Sequence, residues 1–204
     1  MPVTIISRHS KPFRKWGRRF RDITNNWLLS KEKLDQESID IITHYAQTWR
    51  WLHLYDENRL VLPSTMSETS IKLDYPTAIH AIASLKQDLI QKEEASPLFA
   101  RERDNQLQAI LGDIHQTFGG NLLYPSCEER AAHLLYFVIK NHPFIDGNKR
   151  IGSFLFIRYL RENNFDATLI NDGTLTMLAL HIASSQPNEK DSMIKLIVNL
   201  ITKY

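Results

Sequence analysis

The nine residues His142-Pro143-Phe144-Ile145-Asp146-Gly147-Asn148-Lys149-Arg150 crowd more usable chemistry into one turn than any other part of the chain. His142 suits proton transfer, because its ordinary pKa lies close to working pH. Asp146 suits a hard divalent cation held through oxygen. Gly147 allows a close approach of the backbone to a ligand. The Asn148 amide can donate to an oxyanion. Lys149 and Arg150 bring fixed positive charge, and an arginine forks onto phosphate oxygens. The composition suits a nucleotide phosphate. The competing reading is a helix-loop-helix turn with a satisfied polar cluster. Two rival motifs drop out: the chain has no G-x-x-x-x-G-K-[ST] string, and His142 with Asp146 gives only two of the three or four ligands a zinc site needs.

Working outward, the turn joins two helices. Ser126-Cys127-Glu128-Glu129 reads as a capping box, with Ser126 as N-cap and Glu129 at N3. The helix it opens runs to about Asn141 through Ala131, Leu134, Leu135, Phe137 and Val138, and Pro143 cannot continue it. A second helix begins near Asn148 and carries Ile151, Phe154, Leu155, Ile157 and Leu160 to an end at 161–164. Its first N–H groups and positive dipole end would point at the same turn, where phosphate is favoured.

The remaining periodicity is also helical. Leu34, Ile39, Ile42, Tyr45, Trp49 and Leu52 predict a helix over 33–60 that loosens at Glu57-Asn58. Pro76 in a first turn predicts a helix to about Glu94, with Ile79, Ile82, Leu85, Leu89 and Ile90 as its stripe. A further helix is expected from Pro97 or Leu98, with Leu107, Ile110, Leu111, Ile114 and Phe118 buried and Gly119-Gly120 as its end. Gly119 to Tyr124 is short and extended in character. Two last helices fit 172–185 and 188–202, separated by Pro187, with Asn171 or Asp172 and Asn188 as caps. The fold class expected is all-α with one short hairpin. The Pro and Ser/Thr cluster at 61–75 suggests a connection, so the domains are read as an N-terminal helical extension at 1–65 and a catalytic domain at 66–204.

Composition narrows the class. The chain has 204 residues, enough to bury about 70% of its unfolded surface. Its 43% hydrophobic and 24% charged residues are those of an ordinary globular protein. The single Cys127 excludes an internal disulfide and fits a reducing compartment; it reads as a small residue in a first helical turn. No apolar run has the length of a membrane span and no signal-peptide core opens the chain, so a cytoplasmic protein without a membrane partner is expected. A net charge of +2 does not demand nucleic acid. The basic arm (Arg8, Lys11, Arg14, Lys15, Arg18, Arg19, Arg21) leaves an acidic partner open, and a solvated helix face is the simpler reading.

HPFIDGNKR resembles the active-site motif of the Fic/Doc family, written H-x-F-x-D/E-G-N-G/K-R, with a looser likeness over about 118–160. The resemblance implies a Fic-like helical bundle and transfer of a phosphate-containing group from ATP to a protein hydroxyl. It implies His142 as general base, Asp146 as Mg²⁺ ligand, and Gly147, Asn148, Lys149 and Arg150 around the phosphate, with Phe144 anchoring the loop inside. It also implies a target-docking flap, a small hairpin ahead of the motif, placed here at Gly120, Asn121, Leu122 and Leu123. Strand addition to such an edge would hold a target protein with little sequence specificity.

Two departures bear on the subtype. AMP-transferring members commonly read H-P-F-x-E/D-G-N-G-R-x-x-R, whereas Lys149 stands at the second glycine and Ser153 at the second arginine. Both features resemble Doc, the death-on-curing toxin, which is similar to a Fic enzyme holding ATP in reverse and transfers the terminal phosphate. Doc-type phosphotransfer is the favoured reading, with a translation factor as target and an antitoxin chain as partner if the likeness extends so far. The alternatives are adenylyl transfer and a non-catalytic binding module. The family's inhibitory pattern [S/T]-x-x-x-E-[G/N] has its nearest match at 64–69, STMSET, where Glu68 lacks its arginine partner.

Overall fold

The computed structural model describes residues 36–64, 66, 67, 71–167 and 170–202. The basic arm, Leu34 and Glu68 lie outside the described residues. The chain divides after Leu60. In the first unit, helix α1 is Gln36–Asp56. It closes in a Schellman motif, with Asn58 left-handed at φ 54 and the Arg59 N–H reaching back to the Leu54 carbonyl at 2.8 Å.

The second unit is helical apart from one hairpin: α2 (Tyr75–Gln91), α3 (Gln106–Asp113), β1 (Thr117–Phe118), β2 (Asn121–Leu122), α4 (Cys127–Asn141), α5 (Asn148–Glu162), α6 (Asp172–Ser184), a 3₁₀ turn at Pro187–Glu189, and α7 (Lys190–Ile201). Helix α4 packs against α5, α6, α7 and α3 and is the centre of this unit. Its capping box forms as expected, with Ser126 Oγ accepting the Glu129 N–H at 3.1 Å. The neighbouring Glu128 carboxylate accepts the Ser67 N–H at 2.9 Å, and the Ser67 carbonyl takes the Cys127 N–H. Buried by this arrangement, the Cys127 thiol has its pKa pushed up to about 12, which leaves it protonated and inert at neutral pH.

The apolar pattern located α4 but understated what it buries. Arg130 is fully buried. Its Nε donates to the Tyr159 hydroxyl at 3.1 Å and its Nη1 to the Tyr124 carbonyl at 2.8 Å. His133, one turn on, is buried and stacks on the Tyr124 ring at 3.6 Å. These polar groups hold the chain leaving the hairpin against the start of α4.

The region before the hairpin departs from expectation. Helix α3 is eight residues long and starts at Gln106, not at Pro97. Ala100, Asp104 and Asn105 all have positive φ, which an α-helix does not allow. The Phe99 and Arg101 N–H groups close short local turns onto Ser96 and Leu98, while the Ala100 and Arg103 N–H groups and the Arg101 carbonyl pair with residues 143–146. Phe118, expected in an apolar stripe, belongs to β1 and is 84% exposed. Gly119 and Gly120, expected to end a helix, form the two-residue hairpin turn with φ of 58 and 83, as a primed turn requires. No helix of the described residues is long and apolar enough to cross a membrane.

Candidate active site

The motif loop hangs between the C-terminus of α4 and the N-terminus of α5. His142 ends α4 in the left-handed conformation, φ 50. This turns the chain sharply, and Pro143 and Phe144 go inward, the latter with no exposed surface. The His142 residue is exposed, and its ring makes no hydrogen bond among the described residues. Phe144 is thus an anchor, as its apolar character implied.

Asn148 holds the loop shut. Its side-chain oxygen accepts the Phe144 N–H at 2.9 Å and its amide donates to the Phe144 carbonyl at 2.8 Å. One amide hydrogen is therefore committed inside the loop. What remains at the helix start are backbone donors: the Ile151 N–H takes the Gly147 carbonyl, and the N–H groups of residues 148–150 precede any carbonyl within α5 that they could reach. They form a positive, donor-rich end beside Lys149 and Arg150, both exposed.

A second segment, 94–103, completes the site, and sequence reasoning missed it by reading it as helix. The Ile145 N–H donates to the Arg101 carbonyl at 2.8 Å, the Arg103 N–H to the Pro143 carbonyl at 2.8 Å, and the Ala100 N–H to the Asp146 carbonyl at 3.1 Å. These bonds make the bridges Phe99–Asp146 and Glu102–Phe144. The signal that could have found the segment was its turn formers, Ser96-Pro97 at one end and Asp104-Asn105 at the other.

The side chains interlock too. Gly147 has φ 92, and a Cβ there would lie 2.3 Å from Cε2 of Phe99. Glycine is required by the Phe99 ring as well as by the backbone angle. Arg150 stacks over the same ring, 4.5 Å from its centroid, and its Nη1 donates to the Glu94 carbonyl at 2.7 Å. Its Nη2 stands 3.7 Å from Asp146 Oδ2, a long and half-exposed pair of little energetic weight. Ser96 Oγ donates to the same carboxylate oxygen at 3.3 Å.

The residues fit a Mg²⁺ ion in one way only. No group of three His, Cys, Asp or Glu side chains that could cage a metal occurs among the described residues. Mg²⁺ bound with a nucleotide needs one or two carboxylates, the phosphates and water completing its shell. Asp146 supplies one half-exposed carboxylate.

The hairpin residues Gly120, Asn121, Leu122 and Leu123 are exposed. Their stem is held at the first two turns of α4 by Arg130 and His133, whereas His142 follows the last turn of a helix about 22 Å long. No hydrogen bond or bridge joins 117–123 to 142–150 among the described residues. The segment that pairs with the motif is 99–103.

The family model described as the Fic/DOC family matches residues 73–160, from the end of the connection before α2 to the last turns of α5. Residues 73–160 are thus similar to the Fic/DOC family. The all-α fold with its small hairpin agrees with that likeness. No curated protein and no solved structure matches the chain. Fic/DOC domains are in general transferases that use ATP as substrate.

Proposed function

We propose that this protein transfers the terminal phosphate of ATP to a hydroxyl of a target protein. The observation that carries the subtype is the outer face of α5's first turns. Lys149 and Ser153 lie four residues apart on one side of the helix, at the positions where AMP-transferring members have glycine and arginine. The lysine fills the space of the glycine, and the serine cannot support the γ-phosphate in the AMP-transfer pose. The glycine before Asn148, a feature shared with AMP-transferring members, has a packing reason here, since the Phe99 ring admits no Cβ.

In this reading the acceptor hydroxyl loses its proton to His142 as its oxygen attacks the γ-phosphorus. The new P–O bond forms as the bond to the β-phosphate oxygen breaks, and ADP leaves. The 148–150 N–H groups, Lys149 and Arg150 balance the phosphate charge. Asp146 would hold Mg²⁺, which would supply positive charge to offset that of the phosphates. In this reading the acceptor docks along the 99–103 segment, with exposed Leu98 just before it and exposed Ile145, whose N–H donates to the Arg101 carbonyl, offering apolar contact.

The test uses ATP labelled at the α or the γ phosphate, incubated with the protein and a cell lysate. Label from the γ position alone, with a mass increase of one phosphate on the target, supports phosphotransfer. Label from the α position establishes AMP transfer and overturns this subtype.

A further inference from the structure

Phe99 lies outside the HPFIDGNKR motif, 43 residues before its first residue, yet three motif residues are referenced to it. Its backbone bridges Asp146, through the Ala100 N–H and the Asp146 carbonyl. Its ring occupies the space that a Cβ on Gly147 would need. The same ring lies 4.5 Å beneath the Arg150 guanidinium. The ring is fully buried, so it cannot swing away without opening the core. Arg150, in contrast, is half-exposed and long, and its other contacts are a backbone carbonyl at Glu94 and a weak pair with Asp146. A flexible cation on an immobile aromatic face is placed by that face.

We propose that Phe99 is a positioning residue that sets where the Arg150 guanidinium stands at the phosphate site. The inference rests on the phosphate-handling reading of that site for its functional consequence, but its structural content stands by itself. The ring takes up part of the arginine's rotamer freedom before any ligand arrives, so less is lost when a phosphate is bound. It also ties the phosphate site to segment 94–99, the stretch leading into the residues that bridge the motif. Arg150 is thereby a shared part of both.

Two readouts separate the inference from the reading beneath it. The first is the rate at which phenylglyoxal modifies Arg150, followed by peptide mass in the full chain. Phe99→Leu should raise that rate several-fold, because it removes the face that holds the guanidinium. Phe99→Met, whose flexible unbranched chain adapts better to an irregular gap, should do the same and covers the case in which the leucine variant fails to fold. An unchanged rate in a folded Met or Leu variant overturns the proposal. The second readout is ATP binding with Mg²⁺ by titration calorimetry. Phe99→Met should weaken it by about tenfold, and should cost nothing further in an Arg150→Ala background. Full additivity of the two changes would show that Phe99 does not act through Arg150 and would also overturn it. If Arg150 labelling responds as expected while the unaltered protein binds no ATP, the positioning stands and the phosphate reading fails.

Discussion

Asn148 brackets the backbone of Phe144 with both ends of its carboxamide, accepting the N–H at 2.9 Å and donating to the carbonyl at 2.8 Å. Asparagine is the one residue of this length that both accepts and donates in a single plane. Phe144 is fully buried and Asn148 nearly so, so the pair cannot be replaced by water at no cost. The loop between the two helices is thereby closed on itself by both hydrogen bonds.

Asn148→Ala strands two buried backbone groups and should lower stability by about 1–3 kcal/mol for each. Asn148→Asp keeps the acceptor but sets a carboxylate oxygen against the Phe144 carbonyl, and should be no better than alanine. Denaturant unfolding midpoints check both. A variant of either kind as stable as the unaltered protein would remove the bracket from the interactions that hold the loop.

Gly147→Ala should destabilise through two separate terms. The left-handed angle, φ 92, costs about 1–3 kcal/mol for a side-chain-bearing residue, and the clash with Phe99 adds about as much again. Adding Phe99→Ala relieves the second term only. Gly147→Ala should therefore cost less in the Phe99→Ala background than in the natural chain, by an amount read directly in a double-mutant cycle on unfolding midpoints. Equal costs in the two backgrounds would show that the ring is not what excludes a side chain at position 147.

His142→Ala should reduce transfer by about 10²–10⁴-fold, the usual range for loss of a general base. The fold should survive, since the ring is exposed and makes no hydrogen bond among the described residues. The left-handed angle at 142 costs alanine about 1–2 kcal/mol, so His142→Asn, which tolerates that angle, is the cleaner variant. Measured together, labelled-phosphate transfer and melting temperature decide the matter. Undiminished transfer by both variants would exclude His142 from proton transfer.

Acid should weaken the fold through two histidines. Burial holds His133 down to about 4, although its Nδ1 lies 2.8 Å from the Glu129 carbonyl. His115 is also held to about 4, by burial first and then by the charges of Arg130 and Lys72. Their ordinary value is 6.5. Between about 6.5 and 4 the unfolded chain takes up protons that the folded chain refuses, so stability falls as pH falls through that window and these groups add no slope below it. Unfolding midpoints at pH 7, 5.5 and 4.5 should drop more steeply for the natural chain than for a variant with His115→Gln and His133→Gln. Equal slopes would show that neither histidine is the cause.

Much of this architecture was legible because it is local. The Ser126–Glu129 box, the Pro143 break and the apolar faces of α4 and α5 are matters of a few consecutive residues, and periodicity reports them directly. The identities of the motif residues likewise carry the proposed phosphate chemistry. What only the tertiary structure decided is how distant backbone was used. Residues 97–105 carry enough apolar spacing to read as helix, but the Ala100 and Arg103 N–H groups and the Arg101 carbonyl pair with 143–146, forty or more positions away, and that choice is invisible to local pattern. The same pairing puts Phe99 under Arg150 and against Gly147, so the glycine that sequence explained by a ligand's approach is required by a ring. It also leaves the 117–122 hairpin attached at the far end of α4, because a short strand pair belongs wherever its stem is held, and here Arg130 and His133 hold it.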